Sequence, residues 1–524
     1  MAAEAGSARG AARTGALHRS IATVGSLTLV SRLLGFVRDI MIAALLGAGP
    51  LADAFFVAFK LPNFLRRLFA EGAFNAGFVP LFARTLEGEG RAAAKTFAEQ
   101  AQAIQLAVLA PLVLLTIVAM PWVILVLAPG FEPGGVRYEG AVELSRITFV
   151  YILFIALVAL YGGVLNSLGR FAAAAAAPIL LNLCLIGALL LSALWLDAPA
   201  QALAWGVAAA GLLQLLWLRL AVRREGMAPA LRRPRLTPQI KRLFALILPG
   251  AIGAGVAQIN LFVDVVLASL LPPGAVSYLY FADRVNQLPL GVIGVAVGTA
   301  LLPLMARQLR AGQIAHAMHS QNRALELALL LTVPAAIALM VLCGPIVSVL
   351  FERGAFGAEA SRATSAALAA YAIGLPAYVL IKVLTPGYFA REDTRTPVKI
   401  AIVCLISNVV IALALIWWLA HVGIALATAI SAWLNAGLLG RGLWRDGLLQ
   451  PDAQLRRRLL RILGTSLAMA LGLWLAAPWL SGLPAPLALA LLIAAGGLGF
   501  LLLGHLLGAL DLGELRRVVG RRRA

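Results

Sequence analysis

Ser31-Arg32-Leu33-Leu34-Gly35-Phe36-Val37-Arg38-Asp39 is followed, one short apolar run later, by Asp53-Ala54-Phe55-Phe56-Val57-Ala58-Phe59-Lys60-Leu61-Pro62-Asn63-Phe64-Leu65-Arg66-Arg67 and then Glu71-Gly72-Ala73-Phe74. These charges sit inside runs 21–46 and 53–84 that are otherwise apolar. Each run exceeds the roughly 20 residues that a helix needs to cross a bilayer. An ionisable side chain at mid-bilayer costs at least ~2.5 kcal/mol on insertion scales, so every one of them needs a reason. The rest of the chain is the same background with fewer charges: 61% of its 524 residues are hydrophobic, 13% are charged, and the mean hydropathy is +0.92. A water-soluble protein of this length needs a polar skin that this composition does not provide.

The same length criterion gives fourteen spans: 21–46, 53–84, 99–128, 145–168, 172–196, 200–221, 240–270, 275–305, 324–350, 363–389, 398–419, 422–444, 459–480 and 485–509. With the N-terminus inside, the cytoplasmic segments hold 32 of the 43 Lys and Arg, whereas the outward loops hold Arg137, Arg146, Arg353 and Arg362. Miscounting one middle helix would destroy that asymmetry, so both termini are expected in the cytoplasm. The net charge of +20 is then topology and not a nucleic-acid surface. The apolar run at 21–46 is too long for a cleavable signal and reads as an uncleaved first span. Cys184, Cys343 and Cys404 stand apart in apolar runs, and His316 and His319 have no ligand-type neighbours, so no metal site is expected.

The chain repeats itself at an offset of 223 residues. Phe78-Val79-Pro80-Leu81-Phe82-Ala83-Arg84 matches Leu301-Leu302-Pro303-Leu304-Met305-Ala306-Arg307, and Pro111 matches Pro334; Arg170 and Arg391 correspond at 221. Spans one to six and seven to twelve are therefore expected to be two copies of one unit, with two spans appended. Six spans is an even number, so the copies share an orientation and an axis along the membrane normal, with a substrate path between them. Alternating-access transporters need that arrangement. The boundaries expected are a cytoplasmic tail at 1–20, a first lobe at 21–221, a basic linker at 222–239, a second lobe at 240–444, the appended pair at 445–510 and a basic tail at 511–524.

Within the spans lie Arg32, Arg38, Asp39, Asp53, Lys60, Arg66, Arg67 and Glu71, then Asp264, Asp283, Arg284 and Lys382. At about 100° per residue Asp53, Lys60, Arg67 and Glu71 share a helix face, as do Arg32 and Asp39. Some of these charges can lock helices together as pairs, since Asp39, Asp53 and Asp283 each have a cation nearby in sequence, and Lys382 can snorkel to the interface. Cations nevertheless outnumber acids. Guanidinium groups present a planar fork of donors suited to pyrophosphate or carboxylate, so a cationic cavity lined by Arg32, Arg38, Arg66, Arg67 and Arg284 is expected to take an anionic cargo. Asp264 has no basic neighbour in sequence and reads as a proton or cation site.

The long motif of spans one and two, together with Ala282-Asp283-Arg284 and Thr396-Pro397-Val398-Lys399-Ile400, resembles the MurJ (MviN) family of lipid II flippases over about residues 20–510. That family lies in the multidrug/oligosaccharidyl-lipid/polysaccharide exporter superfamily. The resemblance implies an all-α polytopic membrane protein of 14 transmembrane helices. Two six-helix lobes would form a V, with two extra C-terminal helices beside a groove for a polyprenyl tail. It implies a flippase, not an enzyme, in the bacterial inner membrane. Its cargo would be the undecaprenyl-pyrophosphate disaccharide-pentapeptide, lipid II, moved from inner to outer leaflet. The family's essential cations match Arg32, Arg38, Arg66, Arg67 and Arg284, its functional acids match Asp39, Asp53 and Asp283, and Lys382 matches a functional lysine. A sodium site known in some relatives would draw on Asp264, Asn408 and Thr428, but Ala412 stands where a further acid is expected. Gln287 replaces a glutamate of enterobacterial relatives and carries no charge.

No cofactor is expected, and the coupling ion is left between Na+ and H+. The chain has no P-loop, so ATP is not the expected drive; an inside-negative potential favours outward movement of an anion by about 2.3 kcal/mol per charge per 100 mV. The partners implied are lipid II, membrane lipids and, as an open class, cell-wall synthesis proteins, with no nucleic acid. Two other readings stay open: a flippase for another polyprenyl-linked sugar, and an ion-coupled multidrug antiporter of the same superfamily. An antiporter for organic cations would favour an acidic, aromatic cavity. A lipid-pyrophosphate transferase or hydrolase would need a carboxylate cluster in a loop, and Glu392-Asp393 reads better as a solvated turn.

Overall fold

The computed structural model describes the backbone of residues 2–66 and 73–510, and the side chains of these residues outside 2–21, 65, 73, 249–261 and 292–300. Every regular element among the described residues is a helix, and two compact units divide the chain, residues 1–274 and 275–524.

The first unit runs α1 (Ala2–Leu46), α2 (Pro50–Arg66), α3 (Ala73–Gly88), α4 (Gly90–Val118), α5 (Met120–Leu127), α6 (Val136–Phe149), α7 (Tyr151–Ser167), α8 (Phe171–Leu191), α9 (Pro199–Arg224) and α10 (Pro238–Ser269). Helix α8 lies against α1 and α9, α2 against α6, and α3 between α7 and α10. Aromatic residues four apart drive this packing. Phe74, Phe78 and Phe82 stand one turn apart on α3, and Phe78 stacks on Phe97 of α4 at 5.4 Å. Gly163 of α7 makes room for that ring, because a Cβ there would come within 2.9 Å of Phe78. Small residues that let helices approach are the usual device where lipid offers no hydrophobic drive between helices.

The second unit runs α11 (Ala275–Arg310), α12 (Ile314–Val341), α13 (Cys343–Phe351), α14 (Ala358–Phe389), α15 (Arg395–Arg445), α16 (Ala453–Ala476) and α17 (Ala485–Leu506). Helix α14 is its centre and packs on α11, α12, α13 and α15; α16 leans on α12 and carries α17. Gly374 of α14 lets α15 approach closely, since an added Cβ would lie 2.9 Å from the Ala429 Cα.

The large apolar side chains on the outside identify the solvent. Leu29, Leu33, Leu115, Val126, Leu194, Leu467 and Leu506 are exposed, and Trp195, Trp417, Trp418 and Trp479 are 79–89% exposed. Water would not sustain such a surface, and the chain is a multi-pass membrane protein. Nine stretches among the described residues are long and apolar enough to span by themselves, from Gly90–Val118 to Ala485–Leu506. Two of the fourteen expected spans, 398–419 and 422–444, fall on the single element α15, which doubles back at Ala420 (φ 46°, ψ −129°). The compact units also divide one helix later than the sequence repeat does: α10 packs against α3, α4 and α5 of the first unit.

Candidate functional site

Arg32 and Arg38 of α1 have opposite surroundings. Arg32 is exposed, whereas Arg38 and Asp39 are only 5% and 2% exposed. The Arg38 guanidinium donates to Asp39 Oδ1 from Nη2 (2.6 Å) and Nε (3.0 Å), and from Nη1 to Asn182 Oδ1 of α8 (2.9 Å). The Asn182 amide in turn donates to the Ser31 carbonyl at 2.8 Å. A charge buried in low dielectric demands such satisfaction, and the arrangement pins α8 to α1. Arg32, two turns before Asp39, is left on the open surface.

On α2, Asp53 is fully buried and accepts the Gly274 N–H at 2.7 Å. Gly274 has φ +100°, open to glycine but not to L side chains, and this turns its amide onto the carboxylate. Arg137, at the start of α6, grips the same turn: it donates to the carbonyls of Leu271 (2.9 Å) and Gly130 (3.3 Å) and lies over the Phe131 ring. Charge counting along the sequence gives Arg137 only a topological role. The available signal for more is its donor fork together with the proline turn Pro272-Pro273. Further along α2, Lys60 is half-buried and Arg66 Nε donates to Asn63 Oδ1 at 3.3 Å. Phe64 meets Phe262 of α10 edge-on at 4.6 Å, two residues from the half-buried Asp264. Arg67 and Glu71 lie outside the described residues.

In the second unit, α11 carries Asp283 and Arg284, both half-buried. Gln287 Nε2 donates to Asp283 Oδ2 at 2.5 Å, and Arg284 donates to the Tyr280 hydroxyl (3.1 Å) with its guanidinium 5.0 Å from the Tyr280 ring centre. The neutral Gln287 thus supports Asp283 where a glutamate would repel it. Lys382 is exposed on α14. On α15, Asn408 is fully buried, Thr428 Oγ1 donates to the Ile424 carbonyl (3.0 Å), and Ser431 ties the two halves of the helix through the Cys404 carbonyl (2.7 Å). Ala412, one turn after Asn408, is buried and supplies no oxygen. Of the candidate cation ligands, Asp264 belongs to the first unit and Asn408 and Thr428 to the second.

The 223-residue repeat adds two residues that the charge pattern alone passes over. It carries Lys60 onto Asp283 and Asn63 onto Asn286. Asn286 is 2% exposed, and its Oδ1 has no hydrogen-bond partner among the described residues. Equivalent positions of the two copies therefore carry opposite charges, each three residues before an asparagine.

Chemically the set offers cationic and amide donors along α1, α2 and α11. Among the described residues no three His, Cys, Asp or Glu side chains gather as a metal site. The family model for "Lipid II flippase MurJ" matches residues 42–491. A probable lipid II flippase MurJ of Rhizobium meliloti strain 1021 is 46% identical over 519 residues, 96% of each chain. The lipid II flippase MurJ of Burkholderia cenocepacia is 37% identical over 462 residues, 87% of this chain and 89% of that one. Among solved structures, a lipid II flippase MurJ in an inward closed conformation superposes with a TM-score of 0.79 at 26% identity, covering 92% of this chain and 98% of that one. An inward-facing multidrug transporter of the MATE family has the same fold at 15% identity, with a TM-score of 0.67 over 85% of this chain and 99% of that one.

Proposed function

The chain belongs to the lipid II flippase MurJ family, and from that premise we propose that it carries lipid II from the inner to the outer leaflet of the bacterial cytoplasmic membrane. It is a transporter and not an enzyme. The observation that carries the reading is the placement of cationic donors on otherwise apolar helices: Arg32 exposed on α1, Lys60 and Arg66 on α2, Arg284 on α11. A pyrophosphate head cannot cross hydrocarbon unaided, while its polyprenyl tail need never leave lipid. Guanidinium and ammonium groups replace the water that the head sheds. Asp39 and Asp53 take a different part, since they fasten α1 and the turn before Gly274 and thereby hold the cation-bearing helices in place.

The architecture proposed is fourteen spans with both termini inside, in which α15 supplies two spans about its kink. The drive proposed is the membrane potential, assisted by Na+ or H+. Asp264, Asn408 and Thr428 are the oxygen ligands that the family resemblance implies for such an ion. Thr428 Oγ1 keeps acceptor capacity while donating to Ile424, and Asn408 offers an amide oxygen. Ala412 leaves the set one carboxylate short of the sodium site of relatives, which favours the potential as the principal drive. The test is the purified chain reconstituted in vesicles with fluorescent lipid II. An imposed potential is expected to accelerate movement toward the positive side, and collapse by an ionophore to slow it. Movement independent of potential and of Na+ and H+ gradients would remove the proposed drive, and absence of movement would remove the function.

A further inference from the structure

Each repeat ends in the same way, and the segment leaving each end is tied down. Helix α9 closes at Glu225-Gly226 and α15 at Asp446-Gly447, an offset of 221. Both glycines have φ +70°. In both, the next residue's N–H reaches back five positions, Met227 to Val222 (3.1 Å) and Leu448 to Leu443 (2.9 Å), which is the Schellman closure that favours glycine. Both acids then meet the arginine that corresponds at the same offset: Arg170 Nε lies 2.9 Å from Glu225, and Arg391 Nη2 lies 3.0 Å from Asp446.

Beyond these closures the third span of each repeat takes hold of the departing chain. In the first unit Glu99 and Gln100 of α4 are buried at 3% and 7% exposure. Glu99 accepts the Ala230 N–H (3.2 Å) and pairs with Arg232 (2.5 Å), while Gln100 accepts the Arg235 N–H (3.1 Å). The segment 227–236 has no helix of its own, so these bonds fix its course. Their counterparts at offset 223 are Asn322 and Arg323 of α12. Asn322 donates to the Gln450 carbonyl at 2.8 Å, and Arg323 pairs with Asp452 at 2.5 Å. Buried Glu326 receives both Arg323 and Arg458 of α16. The residue types differ between the copies and the departing segments lead to different helices, yet the positions that hold them are the same.

We infer that the segment leaving each repeat is a fastened strap, and that Glu99 is a positioning residue for transport because it sets the course of the strap leading to α10. The inference rests on the flippase reading for its second half. A slack segment of this length would let α10 enter its unit at many angles; a strap bonded at Ala230, Arg232 and Arg235 allows one. A buried carboxylate that accepts a backbone N–H and lies beside a guanidinium joins two points of the chain at once, so loss of Glu99 should free the whole segment and not one bond.

The experiment is hydrogen exchange on the full chain in lipid nanodiscs, paired with reconstituted lipid II movement, for wild type, Glu99→Ala, Arg232→Ala and the exchanged pair Arg170→Glu with Glu225→Arg. In wild type the Ala230 and Arg235 amides are expected to be protected. Glu99→Ala should speed exchange of the Ala230 amide about tenfold or more, as loss of a charge-assisted hydrogen bond implies, and exchange of the Arg235 amide in milder form as the freed segment leaves Gln100, with the helices unchanged. The maximal rate of movement should fall several-fold while the apparent KM for lipid II holds, because the strap contributes none of the cations assigned to the cargo. Arg232→Ala, at a half-exposed side chain, should do the same in milder form without threatening the fold. Arg170→Glu or Glu225→Arg alone should loosen the segment, and the exchanged pair should restore it. Unprotected amides in wild type, or fast exchange in Glu99→Ala with undiminished movement, would overturn the inference. A wild-type chain that moves no lipid II would instead overturn the flippase reading, while the exchange data would still judge the strap.

Discussion

Arg32 and Arg38 lie six residues apart on α1, and their surroundings assign them different tasks. Arg38 is enclosed with Asp39 and Asn182, so Arg38→Ala breaks a buried ion pair, at a cost of about 3–5 kcal/mol. The expected outcome is a lower melting temperature in detergent and reduced abundance, with transport lost as a consequence. Arg32→Ala removes an exposed side chain and should leave melting unchanged while abolishing transport. Equal melting of the two variants would contradict this division. A second residue-level expectation concerns Asp452, which caps α16 through the Leu455 N–H at 2.7 Å. Burial pushes its carboxyl up, but the Leu455 N–H and the Arg323 guanidinium outweigh it, and the group is held below the ordinary carboxylate value. Its stabilising contribution is therefore complete above the unfolded carboxyl pKa of about 3.9 and is lost as pH falls through the lower folded value. Asp452→Asn, which can still cap the helix, should flatten the acid limb of a melting-temperature profile as pH falls below the unfolded carboxyl value. An unaltered acid limb would show that Asp452 does not supply it.

Among the elements, α15 shows how a sequence reading and a fold can both be right about different things. The apolar runs 398–419 and 422–444 are legible by length, but the turn between them is a single strained residue. Ala420 has φ 46° and ψ −129°, where an L side chain is uncomfortable and glycine is not. His421 bonds the Ala363 carbonyl at 2.9 Å and lies against Tyr278, which holds the turn in place. Ala420→Gly should raise stability by about 1 kcal/mol, read as a small rise in melting temperature with transport intact; a fall would mean that the turn is not strained. The first element pair is less completely legible. The motif on α1 and α2 identifies the charges, and counting cations against acids shows an excess. Neither can show that Arg38 answers to a neutral asparagine 144 residues away or that Asp53 holds a backbone N–H 221 residues away. Backbone partners and amide partners carry no charge and leave no mark in such a count. Gln287 is legible as uncharged, but its bond to Asp283 appears only when α11 is coiled into a helix and residues four apart meet.

For the molecule as a whole, the duplication is the feature that the sequence announces most clearly and that the structure extends furthest. The offset found in the segments ending at Arg84 and Arg307 also relates the helix closures at Gly226 and Gly447, the ion pairs beside them, and the positions of Lys60 and Asp283, to within two residues of register. Duplicated scaffolds of one orientation suit a carrier that exposes one site alternately to two sides, and Lys60 and Asp283 are equivalent positions at which the copies carry opposite charges. The exposed Trp195, Trp417, Trp418 and Trp479 fit the aromatic belts that mark membrane–water boundaries. The central claim is that this scaffold moves lipid II and does so through the exposed Arg32. It is tested most directly by outer-leaflet exposure of lipid II in cells depleted of the chain, probed with an added enzyme that cleaves the lipid II head group. Exposure is expected to be lost on depletion, restored by wild type, and not restored by an equally abundant Arg32→Ala. Unchanged exposure on depletion, in cells without a second flippase, would contradict the claim.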